Sequence, residues 1–132
     1  MKKRELTVHI TDTLMNRYAK VSKDVNPIHL HKNIAEKMGL PNKIVHGMIL
    51  MAYSTKLVSA FLLDGWFINS HQTKLIFPVF LHETVVIKLN VLEETNQTRT
   101  YKILGINDSE VTVLQGKLVL QRLDRDEKKH ML

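Results

Sequence analysis

Apolar and polar positions divide the chain into a helical first half and a strand-rich second half. Residues 5–10 predict a short strand, and residues 11–13 place hydroxyl and carboxylate groups where they can cap a following helix. Pro27 ends any helix before it, because its ring disfavours the α conformation at Asn26. The helix predicted between residue 13 and Pro27 has Leu14, Tyr18 and Val21 at helical spacing, and these residues form its apolar side.

The most apolar stretch, residues 47–63, predicts one long central helix. Its polar residues Thr55, Lys56 and Ser59 form a narrow stripe and the other positions are apolar or small, so the helix is expected to be buried on most sides. This stretch is too short and too polar to cross a bilayer. A shorter helix of one or two turns is predicted over residues 33–38.

After residue 65 the pattern changes to strands. Residues 66–77 are mixed, residues 83–93 alternate with a period of two, and residues 99–106 predict another strand before a turn. The last strand is predicted over residues 110–123. Its apolar positions change from odd to even numbers at Gly116, which predicts a β-bulge at that glycine.

One strand, several helices, a long buried helix and then about four strands indicate an α+β fold. We expect a single domain over residues 1–132, with an antiparallel sheet packed on a helix. One helix covers only one face of such a sheet and leaves its edges open. Because a second copy would protect those edges, a homodimer is expected.

Composition is ordinary for a globular protein, with 44% hydrophobic and 24% charged residues among 132. The absence of cysteine excludes disulfides and thiolate metal sites and suits a cytoplasmic location. The basic N-terminus lacks the apolar run of a secretory signal, and no membrane association is expected. A net charge of +6 favours acidic partners, but basic and aromatic residues are not interleaved, so nucleic-acid binding is not expected.

Residues 22–31, SKDVNPIHLH, concentrate polar groups around one proline. Asp24 and His29 would lie on different faces of a helix, but across a sharp Asn-Pro turn both side chains can point into one pocket. A carboxylate and an imidazole on one water can move protons in either direction, and Asn26 can fix the geometry. The alternative is a purely structural Asx turn with His29 packed against the core, which spacing alone favours.

A second candidate element, Ile44-Val45-His46-Gly47-Met48, directly precedes the central helix. Gly47 permits a ligand to approach the backbone closely, and the unpaired N–H groups at a helix N-terminus could hold a developing oxyanion. Taken alone, a glycine that lets the helix pack closely is the simpler explanation. His46 is expected to hold the turn before the helix by hydrogen bonds.

Together, D-x-N-P-x-H and an H-G-M that begins seventeen residues after His29 resemble the MaoC-like hydratases, the (R)-specific enoyl-CoA hydratase family. The similarity extends over residues 18–51 and more weakly through KLIFPVF. It implies the hotdog fold, an antiparallel sheet wrapped around a long central helix, usually as a dimer. It also implies water addition to trans-2-enoyl thioesters, or its removal from (3R)-hydroxyacyl thioesters, on coenzyme A or acyl carrier protein in fatty-acid metabolism. No metal or redox cofactor is implied.

Carried over by position, the resemblance implies that Asp24 and His29 form the acid/base pair that holds the catalytic water. Asn26 would orient that site, and the Gly47 N–H would bind the thioester oxygen. None of the departures from the family pattern removes a proposed catalytic group. They are Lys23 in place of a common glycine, His31 in place of a frequent carboxylate, and His82-Glu83 in place of a Gly-Asp turn.

Two other functions compete with hydration. His29 and His31 could supply two metal ligands, but in the hotdog interpretation they point apart and no third ligand is obvious nearby, so no metal site is expected. A non-catalytic acyl-thioester-binding hotdog protein is the other alternative. The complete Asp-Asn-His set argues against it, because a pure binder needs no acid/base pair.

Overall fold

The computed structural model describes residues 4–123, which form a five-stranded antiparallel sheet and five helices. The strands are β1 (Arg4–His9), β2 (Trp66–Leu75), β3 (Thr84–Glu94), β4 (Thr98–Asn107) and β5 (Thr112–Arg122). Their order across the sheet is β1-β3-β4-β5-β2, so β1 and β2 are the two edges. The predicted strands and the α+β class are therefore confirmed.

The helices are α1 (Asp12–Ser22), α2 (Pro27–Leu30), α3 (Lys32–Lys37), α4 (Gly47–Lys56) and α5 (Ser59–Leu62). α1 is capped as predicted, because the Thr11 hydroxyl accepts a hydrogen bond from the Leu14 N–H at 3.1 Å. The predicted buried face is wrong at Val21, which is 83% exposed, whereas Met15 and Ala19 are buried. Val21 lies two residues beyond Ala19, which is a rotation of about 200° around the helix.

The central helix is interrupted, which corrects the prediction of one helix over residues 47–63. After α4, the N–H groups of Leu57 and Val58 bond to carbonyls three residues back rather than four. Inside the last turns of α4, the Ser54 hydroxyl donates to the Met51 carbonyl at 2.6 Å. Such back-bonding by serine bends helices, and the interruption leaves Val58 fully buried in the core.

The bulge in β5 lies at a different residue from the one predicted. In the pairing of β4 with β5 the register shifts so that Val113 has no partner on β4. Val113 and Leu114, although consecutive, are therefore both buried, and this shift explains the change from odd to even apolar positions. Gly116 pairs regularly, and it is required because an added Cβ would lie 2.1 Å from the Gln72 carbonyl oxygen.

One hydrophobic core lies between the helices and the inner face of the sheet. Helix α4 contributes Ile49 and Leu50 to it, and α1 contributes Met15. Among residues 4–123, no helix is both long enough and apolar enough to span a membrane.

Helix α4 runs antiparallel to the edge strand β2, and we call their line of contact the seam. At the start of α4, a Cβ added at Gly47 would lie 3.7 Å from Leu75 Cδ2. Near its end, the hydroxyls of Ser54 and Thr55 contact the imidazole of His71. The residues singled out from the sequence gather at the Gly47 end of this seam.

Candidate active site

Side-chain hydrogen bonds shape the turn between α1 and α2. The Ser22 hydroxyl accepts from the Asp24 N–H at 3.1 Å, and Asp24 Oδ1 accepts from the Asn26 N–H at 3.4 Å. Asn26 Oδ1 accepts from the Ile28 N–H at 3.2 Å and so caps α2, whose first residue is Pro27. The structural turn is therefore present. It uses one carboxylate oxygen of Asp24 and leaves the other available.

Two departures from the family pattern fall where the backbone favours glycine. Lys23, which ends α1, has a φ of +62°, and His82 has a φ of +76°. Each side chain in this left-handed region costs roughly 1–2 kcal/mol relative to ordinary backbone. The turn that carries Asp24 is therefore held at a cost that glycine would avoid.

His29 on α2 faces the second oxygen of Asp24. Its Nδ1 lies 2.7 Å from the Ile44 carbonyl oxygen and donates to it, so the neutral ring has its lone pair on Nε2. That nitrogen lies 3.9 Å from Asp24 Oδ2. This distance is too long for a direct hydrogen bond but allows one water to bond to both atoms.

His46 completes a group that we call the turn cluster: Asp24, His29 and His46. Its buried ring stacks on that of His29 with centroids 3.7 Å apart. Its hydrogen bond holds a different turn from the expected one before α4, because Nε2 donates to the Asp24 carbonyl oxygen at 3.0 Å, in the turn between α1 and α2. Burial lowers the pKa of His46, so the ring is neutral at neutral pH. Its Nδ1 is buried and has no hydrogen-bond partner within residues 4–123.

Gly47 begins α4 and is exposed to solvent. N–H groups in the first turn of a helix have no acceptor within the helix, and the helix dipole is positive there. An added Cβ would meet only Leu75, at an ordinary contact distance of 3.7 Å. Close packing within this chain therefore does not require glycine at this position, which favours access for a ligand as the reason for it.

The turn cluster also contains the residue types of a metal site. Asp24, His29 and His46 each offer one ligand atom, and these atoms lie within 4.8 Å of one another. From the sequence, His29 and His31 were the two possible ligands and no third was obvious. In the structure His46 is the third residue of the group, whereas His31 is exposed and lies outside it. The donors fit zinc poorly: Nε2 of His46 directs its proton at the Asp24 carbonyl, and the two rings are stacked at 23°. Their lone pairs therefore do not converge as a tetrahedral ion requires.

The structure brings Asp24 and His29 together as the sequence predicts and places Asn26 in the same turn. Gly47 follows directly after the histidine that stacks on His29. The stacking itself was missed, as was the contact of Tyr18 with His46, whose ring centroids lie 4.8 Å apart. The sequence contained one signal for the Tyr18 contact, because helical spacing places Tyr18 on the apolar side of α1.

Comparison with known proteins gives a consistent result. The chain matches the model of the MaoC like domain over residues 2–113. It is 28% identical over 118 residues to the mitochondrial 3-hydroxyacyl-[acyl-carrier-protein] dehydratase of Arabidopsis thaliana, an alignment that covers 81% of this chain and 68% of that protein.

Two solved structures share the fold. The (R)-hydratase from A. caviae involved in PHA biosynthesis gives a TM-score of 0.82 at 23% identity and covers 92% of this chain and 95% of its own. An R-hydratase from Pseudomonas aeruginosa in the unliganded form gives 0.78 at 24% identity, with 94% and 81% covered. These likenesses confirm the hotdog fold. Since the family model spans most of the chain, the protein belongs to the MaoC-like domain family of hydratases and dehydratases.

Proposed function

We propose that this protein acts in fatty-acid metabolism as a single hotdog domain that hydrates trans-2-enoyl thioesters (R)-specifically and dehydrates (3R)-hydroxyacyl thioesters in reverse. The observation that supports this most is the 3.9 Å separation of Asp24 Oδ2 and His29 Nε2, beside the N-terminus of α4. A carboxylate and an imidazole lone pair at that separation can hold one water and exchange protons with it. The stereochemistry is inferred from the family.

In the hydration direction, the Gly47 N–H binds the thioester oxygen and polarises the conjugated double bond, so that the β carbon becomes electrophilic. Asp24 and His29 remove a proton from the water, and its oxygen bonds to the β carbon. The electron pair of the double bond moves toward the thioester carbonyl and gives an enolate, which the same N–H stabilises. The acid/base pair then returns a proton to the α carbon.

Asn26 and His46 hold this pair in place. Because Asn26 Oδ1 caps α2, the residue orients water or substrate through the donors of its amide NH₂ group. His46 is a positioning residue that anchors the Asp24 backbone and supports the ring of His29. Its neutral state avoids placing a second positive charge against His29 whenever that ring takes up a proton.

The activity test uses purified protein without added metal. It should hydrate crotonyl-CoA or a longer enoyl-CoA, seen as loss of enoyl absorbance, and chiral analysis should identify the (R)-hydroxy thioester. Treatment with a chelator should leave the rate unchanged. Tight binding of acyl-CoA without turnover at every chain length would contradict the proposal and indicate the non-catalytic acyl-thioester-binding protein instead.

The carrier of the acyl group is either coenzyme A or an acyl carrier protein. Both are anionic, and the net charge of +6 favours either one. A comparison of kcat/KM for the same enoyl group on the two carriers will identify the one that is used.

We also propose that two copies form a homodimer with the substrate at or near the interface. In support, the outer edge of β2 has no partner strand among residues 4–123, and open edges favour pairing. Met48 and Phe77, which lie near the Gly47 end of the seam, are 57% and 53% exposed. Light scattering should give twice the mass of the chain. A stable monomer with full activity would contradict this assembly.

A further inference from the structure

One face of α4 remains uncovered along the seam. Its residues are exposed or partly exposed and follow one another at helical spacing: Gly47, Met48, Met51, Ala52 and Thr55. From Gly47 to Thr55 this face is roughly 12 Å long, which is comparable to a medium-length acyl chain. A thioester held at the Gly47 N–H would therefore extend its acyl group along this face toward Thr55.

The path of the acyl group along α4 begins beside an apolar side chain and ends at polar groups. Leu75 lies beside its start, whereas Ser54, Thr55 and His71, which we call the seam cluster, lie at its end. Ser54 is fully buried, and the cross-strand neighbour of His71 is the fully buried Leu118. Polar groups among such neighbours are costly unless they are hydrogen-bonded.

The hydrogen bonds of the seam cluster determine which atoms donate. The Ser54 hydroxyl, 2.6 Å from the Met51 carbonyl oxygen, donates its one hydrogen there. His71 Nε2 lies 3.0 Å from the Ser54 oxygen and must donate to it. Nδ1 of the same ring then accepts from the Thr55 hydroxyl at 3.3 Å. The imidazole is therefore neutral and held on both sides, and burial lowers the pKa of His71.

This direction of donation excludes a serine nucleophile. A base activates serine by accepting its proton, but the nitrogen of His71 that faces Ser54 already carries a proton. The Ser54 hydrogen is directed at Met51 instead. The seam cluster is therefore not a second reactive centre, and its place at the end of the path makes it a boundary.

We propose that His71, held by Ser54 and Thr55, closes the acyl end of the substrate site and restricts the enzyme to short and medium acyl chains. This inference rests on the proposed function. A longer chain would press against the His71 ring, which its two hydrogen bonds keep from moving aside. It would also remove water from the partly exposed Thr55 oxygen without replacing that hydrogen bond, which is unfavourable. A chain that ends before Thr55 avoids this cost, so His71 determines specificity.

The test compares kcat/KM for crotonyl-CoA, trans-2-octenoyl-CoA and trans-2-dodecenoyl-CoA. The unmodified protein should discriminate against the dodecenoyl substrate. His71→Leu keeps a similar volume without polar atoms and should raise the dodecenoyl-to-crotonyl ratio about tenfold or more. Thr55→Val has the same shape without the hydroxyl and should shift the ratio in the same direction by less. The matched control is Gln72→Leu, next along β2 on the opposite face, which should leave the ratio unchanged.

Calorimetry with butyryl-CoA and lauroyl-CoA gives a readout that needs no turnover. His71→Leu should tighten lauroyl-CoA relative to butyryl-CoA, and Thr55→Val decides the matter if His71→Leu does not fold. Active variants with unchanged selectivity in both assays would overturn this inference and leave the proposed function intact. An unmodified protein that neither binds nor hydrates any of these thioesters would overturn both.

Discussion

The two histidine-containing clusters at opposite ends of α4 are built differently. In the seam cluster both ring nitrogens of His71 are hydrogen-bonded to hydroxyls. In the turn cluster Asp24 Oδ2 and His29 Nε2 stand 3.9 Å apart without a direct bond. The Nδ1 of His46 is buried and has no partner in the part of the chain that the structure describes. One network is complete within the protein, whereas in the other Asp24 Oδ2 and His29 Nε2 have no direct bond to each other and can bond to water.

Complete polar networks stabilise and rigidify a core, whereas unpaired groups in a native structure are frequently functional. Substitutions of Asp24 and His29 in the turn cluster should therefore remove activity with little loss of stability. Substitutions in the seam cluster should cost stability or change selectivity while the reaction itself continues. Four sets of variants test this difference between the clusters.

The largest effect is expected from Asp24→Asn and His29→Gln, which remove proton transfer and nearly preserve shape. Each should lower kcat by about 10²–10⁴, as loss of a general acid/base group does. The double variant should lose far less than the product of the two losses, because the residues act as a unit. Steady-state kinetics with crotonyl-CoA measure the loss of kcat, and thermal melting measures the stability, which should change little.

The control for this pair is His31→Gln, since His31 is exposed and lies only two residues from His29. It should retain both activity and melting temperature. Near-normal turnover by a folded Asp24→Asn protein would refute the assignment. A large fall in melting temperature, with activity that follows only the folded fraction, would instead indicate that this turn is purely structural.

Gly47→Ala should give the next largest loss of activity. The fold accommodates the methyl group, since its nearest contact would be Leu75 Cδ2 at 3.7 Å, and alanine favours the helix. The melting temperature should therefore stay the same or rise slightly. The methyl group would displace a thioester that approaches this backbone closely, so kcat/KM should fall about ten- to hundredfold. Unchanged kcat/KM would argue that Gly47 does not contact the substrate.

Ser54→Ala should reverse the pattern and act mainly on stability. It leaves the Nε2 proton of His71 without its acceptor at the fully buried position of Ser54. The free energy of unfolding should fall by about 1–3 kcal/mol, the usual cost of a buried donor left unpaired. Urea denaturation measures this loss, and kcat for crotonyl-CoA in the folded protein should stay within a few-fold. A stable Ser54→Ala protein with severely reduced kcat would contradict the distinction between the clusters.

The smallest effect concerns pH. Burial lowers the pKa of both His46 and His71 from the ordinary 6.5, so the unfolded chain binds protons that these folded rings do not. The stability they contribute is therefore complete above about pH 6.5 and is lost as the pH falls below it. His71→Leu removes one of the two groups, so its free energy of unfolding should fall less between about pH 8 and about pH 5. Equal falls in variant and unmodified protein would contradict the lowered pKa of His71.

Local patterns in the sequence predicted the elements and the main site pair. Period-two alternation located the strands, and the Asn-Pro turn brought Asp24 and His29 together because they lie only five positions apart. The bulge was misplaced, since apolar phase shows that a register shift occurs but not which residue is skipped. Pairing with β4 assigns it to Val113.

Long-range contacts were not predictable in this way. The contact of His71 with Ser54 joins residues seventeen positions apart. It links a helix to a strand, and the two elements repeat their side-chain directions with different periods. The end of α4 likewise depends on the Ser54 hydroxyl, which donates back to the Met51 carbonyl, whereas the hydrophobic pattern continues without a break through residues 57 and 58. Apolar spacing cannot locate a break that hydrogen bonds produce.

The order of strands in the sheet has a consequence for folding. β3, β4 and β5 are consecutive in the chain and adjacent in the sheet, whereas β1 and β2 dock on opposite edges. Contacts between near neighbours in sequence form fastest, so the three-stranded meander should fold first. The helical segment between β1 and β2 carries the turn cluster, whose hydrogen bonds and ring stacking join residues of that segment alone. In native-state hydrogen exchange the amides of β4 should open last and those of the turn cluster early. The turn cluster can therefore open locally while the three-stranded meander stays folded.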